Sequence, residues 1–412
     1  MDIPGLPARR AALRLIDAVL RRGDTLDQAA HNAVQGIAAD SDKALARAIA
    51  GEALRWLHDI DALIDSATRE PLPDDAKPRA VLRLMLAQWL RLGTPPHAVV
   101  ATALPLLVGG PKRLAHGVFA TLTRQGAKLP DAPSLPDAVA ERWGERAEGI
   151  TPALAVPPPL DLTLRDWRRD PATTAEWVER LGGLSLLPGH VRLPRGDAVH
   201  ALDGYAEGAW WVQDLAASLP ARLLGCGPGR ALDLCAAPGG KTLQLAAAGW
   251  QVTALDMSAK RLERLAENLS RCKLSAEVVI ADVLTWAPEE TYDAILLDAP
   301  CTATGTCRRH PDVLHRIGAA QIRDMADLQA RLLARAAGWL APGGRMVYAV
   351  CSLEREEGEA QAVQVALTPE PIRADELPEG LTPTGEGWLR TDPGMLLDSG
   401  GLDGFFIGRW KQ

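Results

Sequence analysis

In the first third of the chain, apolar residues recur every three or four positions, the spacing of one face of an α-helix. Residues 13–20 and 82–89 carry this pattern, and Gly93-Thr94-Pro95-Pro96 is one of the short breaks between such runs. Short breaks between amphipathic helices are typical of antiparallel packing. The pattern therefore predicts an all-α helical bundle over residues 1–128.

Seven prolines follow between residues 130 and 159, three of them consecutive at 157–159. Proline removes a backbone donor and fixes φ, so dense proline interrupts regular structure. This composition predicts a proline-rich connecting segment over residues 129–159.

From residue 160 onward the pattern changes to short apolar runs that alternate with segments of helix length. Two short strands around a helical stretch predict a small α/β subdomain over residues 160–205. Further apolar strands follow at residues 231–234, 251–255, 278–280, 294–297 and 345–350. Buried strands that alternate with helices indicate a parallel sheet with helices on both faces. We therefore expect a multidomain chain whose residues 206–412 form an α/β, Rossmann-like domain.

Composition and cysteine usage narrow the classes of protein. Among 412 residues the charged fraction is 24%, which excludes wholesale disorder. No apolar run approaches the roughly 18 residues of a membrane span, and no basic-then-apolar leader opens the sequence. All six cysteines follow residue 225, and their spacing matches neither a disulfide scaffold nor a zinc site. These features predict a cytoplasmic protein with reduced thiols, no structural metal and no membrane partner.

The net charge of −7 hides an uneven distribution. Residues 1–140 contain 17 Lys and Arg against 15 Asp and Glu, so the remaining residues carry the whole negative excess. Nucleic-acid affinity depends on where cations lie rather than on the average, so a basic face on the helical part is compatible with an RNA partner.

The first strand of the α/β domain runs into the segment Asp233-Leu-Cys-Ala-Ala-Pro-Gly-Gly-Lys-Thr242. Two glycines allow the backbone to approach a ligand closely at the N-terminus of the next helix, where Lys241 can meet a carboxylate or phosphate. The spacing is not that of a phosphate-binding Walker loop, which disfavours a nucleoside triphosphate. The candidate cofactor-binding residues of this turn are Cys235, Ala236, Ala237, Pro238, Gly239, Gly240 and Lys241.

Aspartates stand at the ends of four predicted strands, at positions 233, 256, 282 and 298. Ligands of such sheets bind beyond the carboxyl ends of the strands, and an acidic residue about twenty positions after the glycine turn accepts hydrogen bonds from ribose hydroxyls. We assign Asp256 to the ribose, Asp282 to an adenine amino group or ring edge, and Asp298 to the same pocket. Together these residues predict a site for an adenosine-bearing ligand with an amino-acid-like end.

Two cysteines also follow strands, Cys301 in Asp298-Ala-Pro-Cys and Cys351 in Tyr348-Ala-Val-Cys-Ser. A nucleophilic thiol beside an adenosine-type cofactor suggests methylation of a carbon that is not nucleophilic by itself. Cytosine C5 is such an atom, because thiolate addition at C6 makes C5 enamine-like. From the residues alone either cysteine could be the nucleophile. The Pro-Cys pair resembles the nucleophile motif of DNA cytosine methyltransferases, and that resemblance makes Cys301 the natural first choice.

These motifs resemble those of the Nol1/Nop2/Sun family of RNA 5-methylcytosine methyltransferases. The resemblance runs from residue 206 to the C-terminus, and residues 1–128 are similar to a NusB-type RNA-binding domain. Further matching segments are Glu207-Gly208, Val212-Gln-Asp214, Gly305-Thr306, Gly401-Leu-Asp-Gly-Phe-Phe406 and, in the helical part, Pro95-Pro96-His97-Ala98-Val99. This pairing is the layout of bacterial members that act on small-subunit ribosomal RNA.

The resemblance implies S-adenosylmethionine as cofactor and a catalytic set of Cys351, Cys301 and Asp298. In that scheme Cys351 attacks C6, Cys301 assists product release, and Asp298 lies at the cytosine edge. The chain departs from the family pattern at Val350, where threonine is common, and at Thr302-Ala303, where Ser-Gly is common.

The basic run Arg308-Arg309-His310 directly follows the catalytic loop, so we expect it to contact phosphates of the RNA strand. The expected protein is a monomer that binds ribosomal RNA. Two alternatives stay open at this point. One is the same chemistry on transfer RNA; the other is an RNA-binding, antitermination-like factor with a vestigial cofactor pocket.

Overall fold

A computed structural model describes residues 3–166, 171–196 and 198–412. The predicted 160–205 subdomain therefore includes residues 167–170 and 197, which lie outside the described part. The chain divides into two compact units. The first comprises residues 1–156 and 307–317, and the second comprises residues 157–306 and 318–412.

The first unit is helical, as the 3.6-residue periodicity predicts. Its helices are α1 (Leu6–Arg22), α2 (Leu26–Ala33), α3 (Asp40–Arg55), α4 (Leu57–Ser66), α5 (Lys77–Leu90), α6 (Pro96–Ala103), α7 (Gly109–Gln125), α8 (Asp137–Trp143), α9 (Arg146–Leu154) and α14 (Val313–Arg316). Helix α5 lies at the centre, with its residues from Ala80 to Ala87 almost wholly buried among α1, α3, α4, α6 and α7. Its apolar face is the one that the sequence pattern identified.

The segment predicted as a proline-rich connection contains two of these helices, α8 and α9. Pro136 precedes the first helical residue of α8, where a missing backbone donor costs nothing. Val139, Trp143 and Ile150 are buried, so apolar packing favours helix between the prolines. The structure thus differs from the expected connection over residues 137–154.

The second unit begins with a three-stranded antiparallel sheet in the order β2-β1-β3, formed by β1 (Leu160–Leu164), β2 (His190–Leu193) and β3 (Trp210–Val212), with α10 (Pro171–Leu181) between β1 and β2. Asp161 is buried and accepts two hydrogen bonds from Arg192, at 2.6 and 2.7 Å, and one from the Leu215 backbone N–H at 3.0 Å. These charge-assisted bonds hold the pKa of Asp161 well below its usual range, against the opposing effect of burial, and tie the small sheet to the next helix.

The larger sheet of this unit contains β4 (Arg230–Leu234), β5 (Gln251–Asp256), β6 (Glu277–Ile280), β7 (Tyr292–Asp298), β8 (Leu340–Val350), β9 (Thr368–Pro369), β10 (Leu389–Thr391) and β11 (Phe405–Lys411). The helices of this part are α11 (Leu215–Leu224), α12 (Gly240–Ala247), α13 (Ala259–Cys272), α15 (Ala319–Ala337) and α16 (Glu359–Ala362). Alternate residues of β7 and β8 belong to two separate apolar cores, so both faces of the sheet are covered. This confirms the predicted α/β architecture.

Strand order in the larger sheet is β10-β11-β8-β7-β4-β5-β6, and β9 pairs with β11. Strands β4 to β8 pair in parallel, as predicted, but β9, β10 and β11 add an antiparallel edge that the sequence pattern did not reveal. In the parallel part, Leu234 is in register with both Leu255 and Leu297. The segments that follow these strands therefore emerge side by side at one edge of the sheet.

Candidate active site at the carboxyl edge of the sheet

The glycine turn after β4 has a backbone that only particular residues can form. Gly239 has φ of +107°, and a Cβ there would lie 2.8 Å from Leu265 Cγ and 3.3 Å from Leu265 Cα. Both the left-handed backbone and the close approach of α13 require glycine at this position. Cys235 also has a positive φ, and the Ala237–Pro238 peptide bond is cis. The turn brings backbone N–H groups to the start of α12, which begins at Gly240.

Asp256 closes β5 directly beside this turn. Its two carboxylate oxygens accept hydrogen bonds from the Ala237 N–H at 3.2 Å and the Ser258 N–H at 2.9 Å. A carboxylate has about four lone-pair positions, so both oxygens keep acceptor capacity, although the residue is only 3% exposed and Arg261 Nη1 lies 3.7 Å from Oδ2. Met257, next in the chain, has 75% of its surface exposed and offers an apolar face.

Asp282 lies at the same edge, two residues after β6. It is exposed, and one of its carboxylate oxygens accepts from the Leu284 N–H at 2.9 Å in a tight turn. The Ala281 N–H donates to the Asp256 carbonyl at 3.2 Å, so the backbones that carry the two aspartates adjoin. The structure thus brings Asp256, Met257 and Asp282 to the same edge of the sheet.

Asp233, in the interior of β4, is fully buried and accepts a hydrogen bond from Thr242 Oγ1 at 2.6 Å. Burial, together with the nearby charges of Asp298 and Asp256, raises the pKa of this carboxyl to about 7, against the lowering effects of Thr242 and Lys241. Its other oxygen, Oδ1, has no hydrogen-bond partner within the described residues. The hydrogen bond between Thr242 and Asp233 thus joins α12 to β4 beneath the glycine turn.

Lys241 and Asp298 form an ion pair at the rim. The Lys241 Nζ donates to Asp298 Oδ2 at 2.7 Å and lies 5.4 Å from the centroid of the Phe405 ring. The sequence predicts that Lys241 meets a carboxylate or phosphate at the start of this helix, and in the structure it pairs with the protein's own Asp298. Because about a third of the Asp298 side chain is exposed, this pair can contact a molecule that enters the site.

The two candidate thiols are neighbours. Cys301 Sγ and Cys351 Sγ lie 3.5 Å apart, and both residues are partly exposed and free of disulfide bonds. The hydrogen bond shared with Cys351, together with burial and the nearby charge of Glu357, raises the pKa of Cys301 well above its usual value. Cys301 therefore keeps its proton at neutral pH and can donate a hydrogen bond to the sulfur of Cys351.

A buried carboxylate lies under both thiol loops. Glu357 is 0% exposed, and its Oε2 accepts from the Thr302 N–H and from Gln329 Nε2, each at 2.9 Å. Its Oε1 accepts from Ser352 Oγ at 2.8 Å and from the Thr302 hydroxyl. Thr302 follows Cys301 and Ser352 follows Cys351, so one side chain holds both loops.

The C-terminal motif at residues 401–406 packs against the same loops. The Gly404 N–H donates to the Gly305 carbonyl at 2.8 Å, and the Gly305 N–H donates to the Cys351 carbonyl at 3.0 Å. A Cβ on Gly305 would lie 1.9 Å from the Gly404 carbonyl oxygen, so the two chains approach too closely for a side chain.

The sequence predicts that residues 308–310 contact RNA phosphates, and the structure shows that part of this run is buried. Arg308 is only 2% exposed, and its carbonyl accepts from Arg55 Nη2 at 2.7 Å within the helical unit. His310 is half-buried, and burial together with Arg309 lowers its pKa. Arg309 is the member of the run that faces solvent. Residues 307–317 belong to the helical unit, where α14 packs against α1, and Arg55 of α3 donates to the Arg308 carbonyl.

Sequence reasoning missed Glu357, Met257 and the hydrogen-bonding partners of the thiol loops. Glu357 stands in the run Glu354-Arg-Glu-Glu-Gly-Glu, where nothing distinguishes it from exposed Glu356. Met257 had a usable signal, since it directly follows the candidate ribose aspartate. Across the described part of the chain, no group of three or more His, Cys, Asp or Glu side chains could hold a metal ion. In that same part, no helix is both long and apolar enough to cross a membrane.

Comparison with known proteins gives the same two-part division. Residues 227–409 match the family model of the 16S rRNA methyltransferase RsmB/F, and residues 6–108 match that of the NusB family. The ribosomal RNA small subunit methyltransferase B of Xanthomonas campestris is 36% identical over 87% of this chain and 87% of its own length. The protein of the same name from Xylella fastidiosa is 35% identical over 98% of both chains.

Solved structures are similar as well. A methyltransferase homologue from Pyrococcus horikoshii is 25% identical, with a TM-score of 0.56 over 71% of this chain and 98% of its own. NSun6 from the same organism shares the fold at 18% identity, with a TM-score of 0.58 over 67% of this chain and 98% of its own.

Proposed function

Because the chain belongs to the ribosomal RNA small subunit methyltransferase B family, and so is an S-adenosylmethionine-dependent rRNA methyltransferase, we propose that it methylates cytosine at C5 through a covalent adduct between Cys351 and C6. The observation that carries this proposal is the pair of thiols 3.5 Å apart at the carboxyl edge of the sheet, beside the Lys241–Asp298 ion pair. Bound S-adenosylmethionine supplies the methyl group.

The cofactor-binding residues are those of the glycine turn with Asp256 and Asp282. Asp256 would hold the ribose hydroxyls, and Met257 with Asp282 would hold the adenine. The start of α12 and the Lys241–Asp298 pair would hold the amino-acid end of the cofactor beside the target base. Cys235 belongs to the turn itself, and burial raises its pKa to about 12, which keeps that thiol neutral and unreactive.

Cys351 is the nucleophile in this account, and Cys301 is its partner. Cys301 has a raised pKa and lies 3.5 Å from the Cys351 sulfur, so its thiol can donate a hydrogen bond that stabilises negative charge there. Addition of that sulfur to C6 moves electron density to C5, which then takes the methyl group. A base then takes the C5 proton, the C–H electron pair re-forms the C5=C6 bond, and the C6–S bond breaks to return the Cys351 thiolate. Cys301, which lies next to the leaving sulfur, promotes this release.

Asp298 contacts the cytosine edge, held in place by Lys241. A carboxylate accepts a hydrogen bond from the exocyclic amino group of cytosine. Uracil has a carbonyl oxygen at that position and cannot donate there. Arg309 and the helical unit, a NusB-family domain by comparison, contribute RNA contacts. In this account Arg308 and His310 contribute by shaping the loop around Arg309, because Arg308 is buried.

The test uses purified protein, labelled S-adenosylmethionine, small-subunit rRNA and, separately, total transfer RNA. We expect label in rRNA as 5-methylcytosine, with none from the Cys351→Ala variant. Label confined to transfer RNA would support the alternative substrate. Equal methylation by Cys351→Ala would refute the covalent mechanism, and RNA binding without methyl transfer by the unmodified protein would favour the vestigial-pocket alternative.

A further inference from the structure

We propose that Glu357 is a positioning residue that fixes the separation and orientation of the two active-site thiols. The inference deepens the proposed function and rests on it for its catalytic consequence. The geometric part of this proposal concerns only the two thiol loops. It can be tested by an experiment that does not require methyltransferase activity.

Glu357 lies where a single side chain can hold two loops that come from different strands. Cys301 follows β7 and Cys351 follows β8, and neither sulfur contacts Glu357 through a hydrogen bond. The residues after them, Thr302 and Ser352, both donate to its carboxylate. Their own hydroxyls lie 3.4 Å apart, so the carboxylate joins the loops within one residue of each thiol.

The carboxylate has a hydrogen-bond environment that an amide cannot reproduce. Four donors converge on its two oxygens: the Thr302 N–H and hydroxyl, the Ser352 hydroxyl and the Gln329 side-chain N–H. Glutamine would place its own N–H₂ against at least one of these donors. Buried charge is costly unless hydrogen bonds satisfy it, and here they do.

Further contacts make the arrangement around the carboxylate rigid. Thr304 Oγ1 accepts from the Leu353 N–H at 3.0 Å, and Ser352 Oγ accepts from the Glu354 N–H at 3.1 Å. Tyr348 donates to the Glu357 carbonyl at 2.6 Å, which fixes the residue to β8. A displacement of Glu357 is therefore transmitted to both thiol loops together.

The negative charge gives the residue an electrostatic signature that a purely structural role lacks. Glu357 is one of the charges that raise the pKa of Cys301, after the Cys351 hydrogen bond and burial. The change Glu357→Gln removes that charge, so the Cys301 thiol should titrate at lower pH. The change Glu356→Gln removes the same charge from an exposed neighbour and is the matched control.

The activity-independent experiment uses phenylarsine oxide, which condenses with two thiols to form two As–S bonds and release one water. It bridges thiols only when their sulfur atoms are close. We expect the unmodified protein and Glu356→Gln to form a Cys301–Cys351 bridge, identified by peptide mass spectrometry, and Cys301→Ala to lose it. Glu357→Gln should bind the reagent about 10-fold more weakly, because the two thiols no longer act as one chelating site.

The same variants are then compared in single-turnover methyl transfer and in alkylation of Cys301 by iodoacetamide across pH. For Glu357→Gln we expect a rate lower by on the order of 10²-fold, from misplaced thiols. Binding of S-adenosylmethionine should be unchanged, because Glu357 does not contact the cofactor surface. The alkylation profile of Cys301 should shift to lower pH in Glu357→Gln alone.

Thr302→Val serves if Glu357→Gln does not fold, since it removes one hydroxyl and keeps the shape; about 5-fold weaker bridging is expected. The proposal is overturned if the Glu357 and Thr302 variants bridge and methylate as Glu356→Gln does, and if the alkylation profile of Glu357→Gln also equals that of this control. The two proposals can also separate. If bridging depends on Glu357 but neither the unmodified protein nor any variant methylates RNA, the proposed function fails and the positioning role stands.

Discussion

Cys301 and Cys351 are 50 residues apart in sequence, and their sulfur atoms lie 3.5 Å apart because β7 and β8 are adjacent parallel strands. Asp298 is in register with Ala349, so each strand delivers a thiol to the same rim within three residues of its end. The two strands therefore place in direct contact the two thiols that the proposed mechanism uses.

Asp256→Asn should weaken cofactor binding. The carboxylate accepts from two backbone N–H groups and, in our account, from the ribose hydroxyls, and an amide can accept on one side only. Loss of a hydrogen bond to a charged group costs about 1.5–3 kcal/mol, so we expect a Kd for S-adenosylmethionine raised by about 10- to 100-fold. Isothermal titration calorimetry measures this directly. Glu263→Gln, on the exposed face of α13, is the control, and an unchanged Kd for Asp256→Asn would remove Asp256 from the site.

Asp233→Asn should change the pH dependence of stability. The folded-state pKa is about 7, above the usual value of 3.8, so the unfolded chain loses this proton first as pH rises. The free energy of unfolding of the wild-type protein therefore falls progressively between about pH 4 and pH 7, whereas the neutral asparagine in the variant causes no such loss. We expect the Tm of the variant minus that of the wild type to rise over that interval and to level off above it. A difference that is constant with pH would contradict the assigned shift.

Arg308→Ala and Arg309→Ala should have different effects. Arg308 is buried in the helical unit, so its truncation should lower stability by about 1–3 kcal/mol, seen as a reduced Tm. Arg309 is exposed, so its truncation should leave Tm unchanged, weaken RNA binding and reduce the salt dependence of the affinity by about one charge. Filter binding at several salt concentrations separates the two effects. A large loss of stability in Arg309→Ala would contradict its placement.

The parallel strands could be predicted because strands covered on both faces read as continuous apolar runs, as Ile295, Leu296 and Leu297 do. Once those strands are located, the topology dictates that the residues after them share an edge, and the cofactor turn and both thiols follow from it. The antiparallel edge was hidden because β11 contains Gly408 and Arg409. Arg409 is 2% exposed and is paired with Glu376, a partner that no local pattern identifies.

The sequence could not predict which individual charged residues are buried. Arg308 and Arg309 are adjacent and chemically identical, and only the packing of residues 307–317 in the helical unit makes one buried and the other exposed. Glu357 and Glu356 differ in the same way. In both pairs the deciding contacts come from residues distant in sequence, so local periodicity holds no information about them.

The most direct test of the central claim is to trap the adduct between Cys351 and cytosine C6. Cys301→Ala is incubated with small-subunit rRNA and S-adenosylmethionine, denatured, digested and analysed by mass spectrometry. The account predicts a denaturation-resistant protein–RNA complex in which a methylated cytidine is attached to the peptide that contains Cys351, and none from the Cys301→Ala, Cys351→Ala double variant. An adduct on any other residue, or full turnover by Cys301→Ala without a trapped complex, would contradict it.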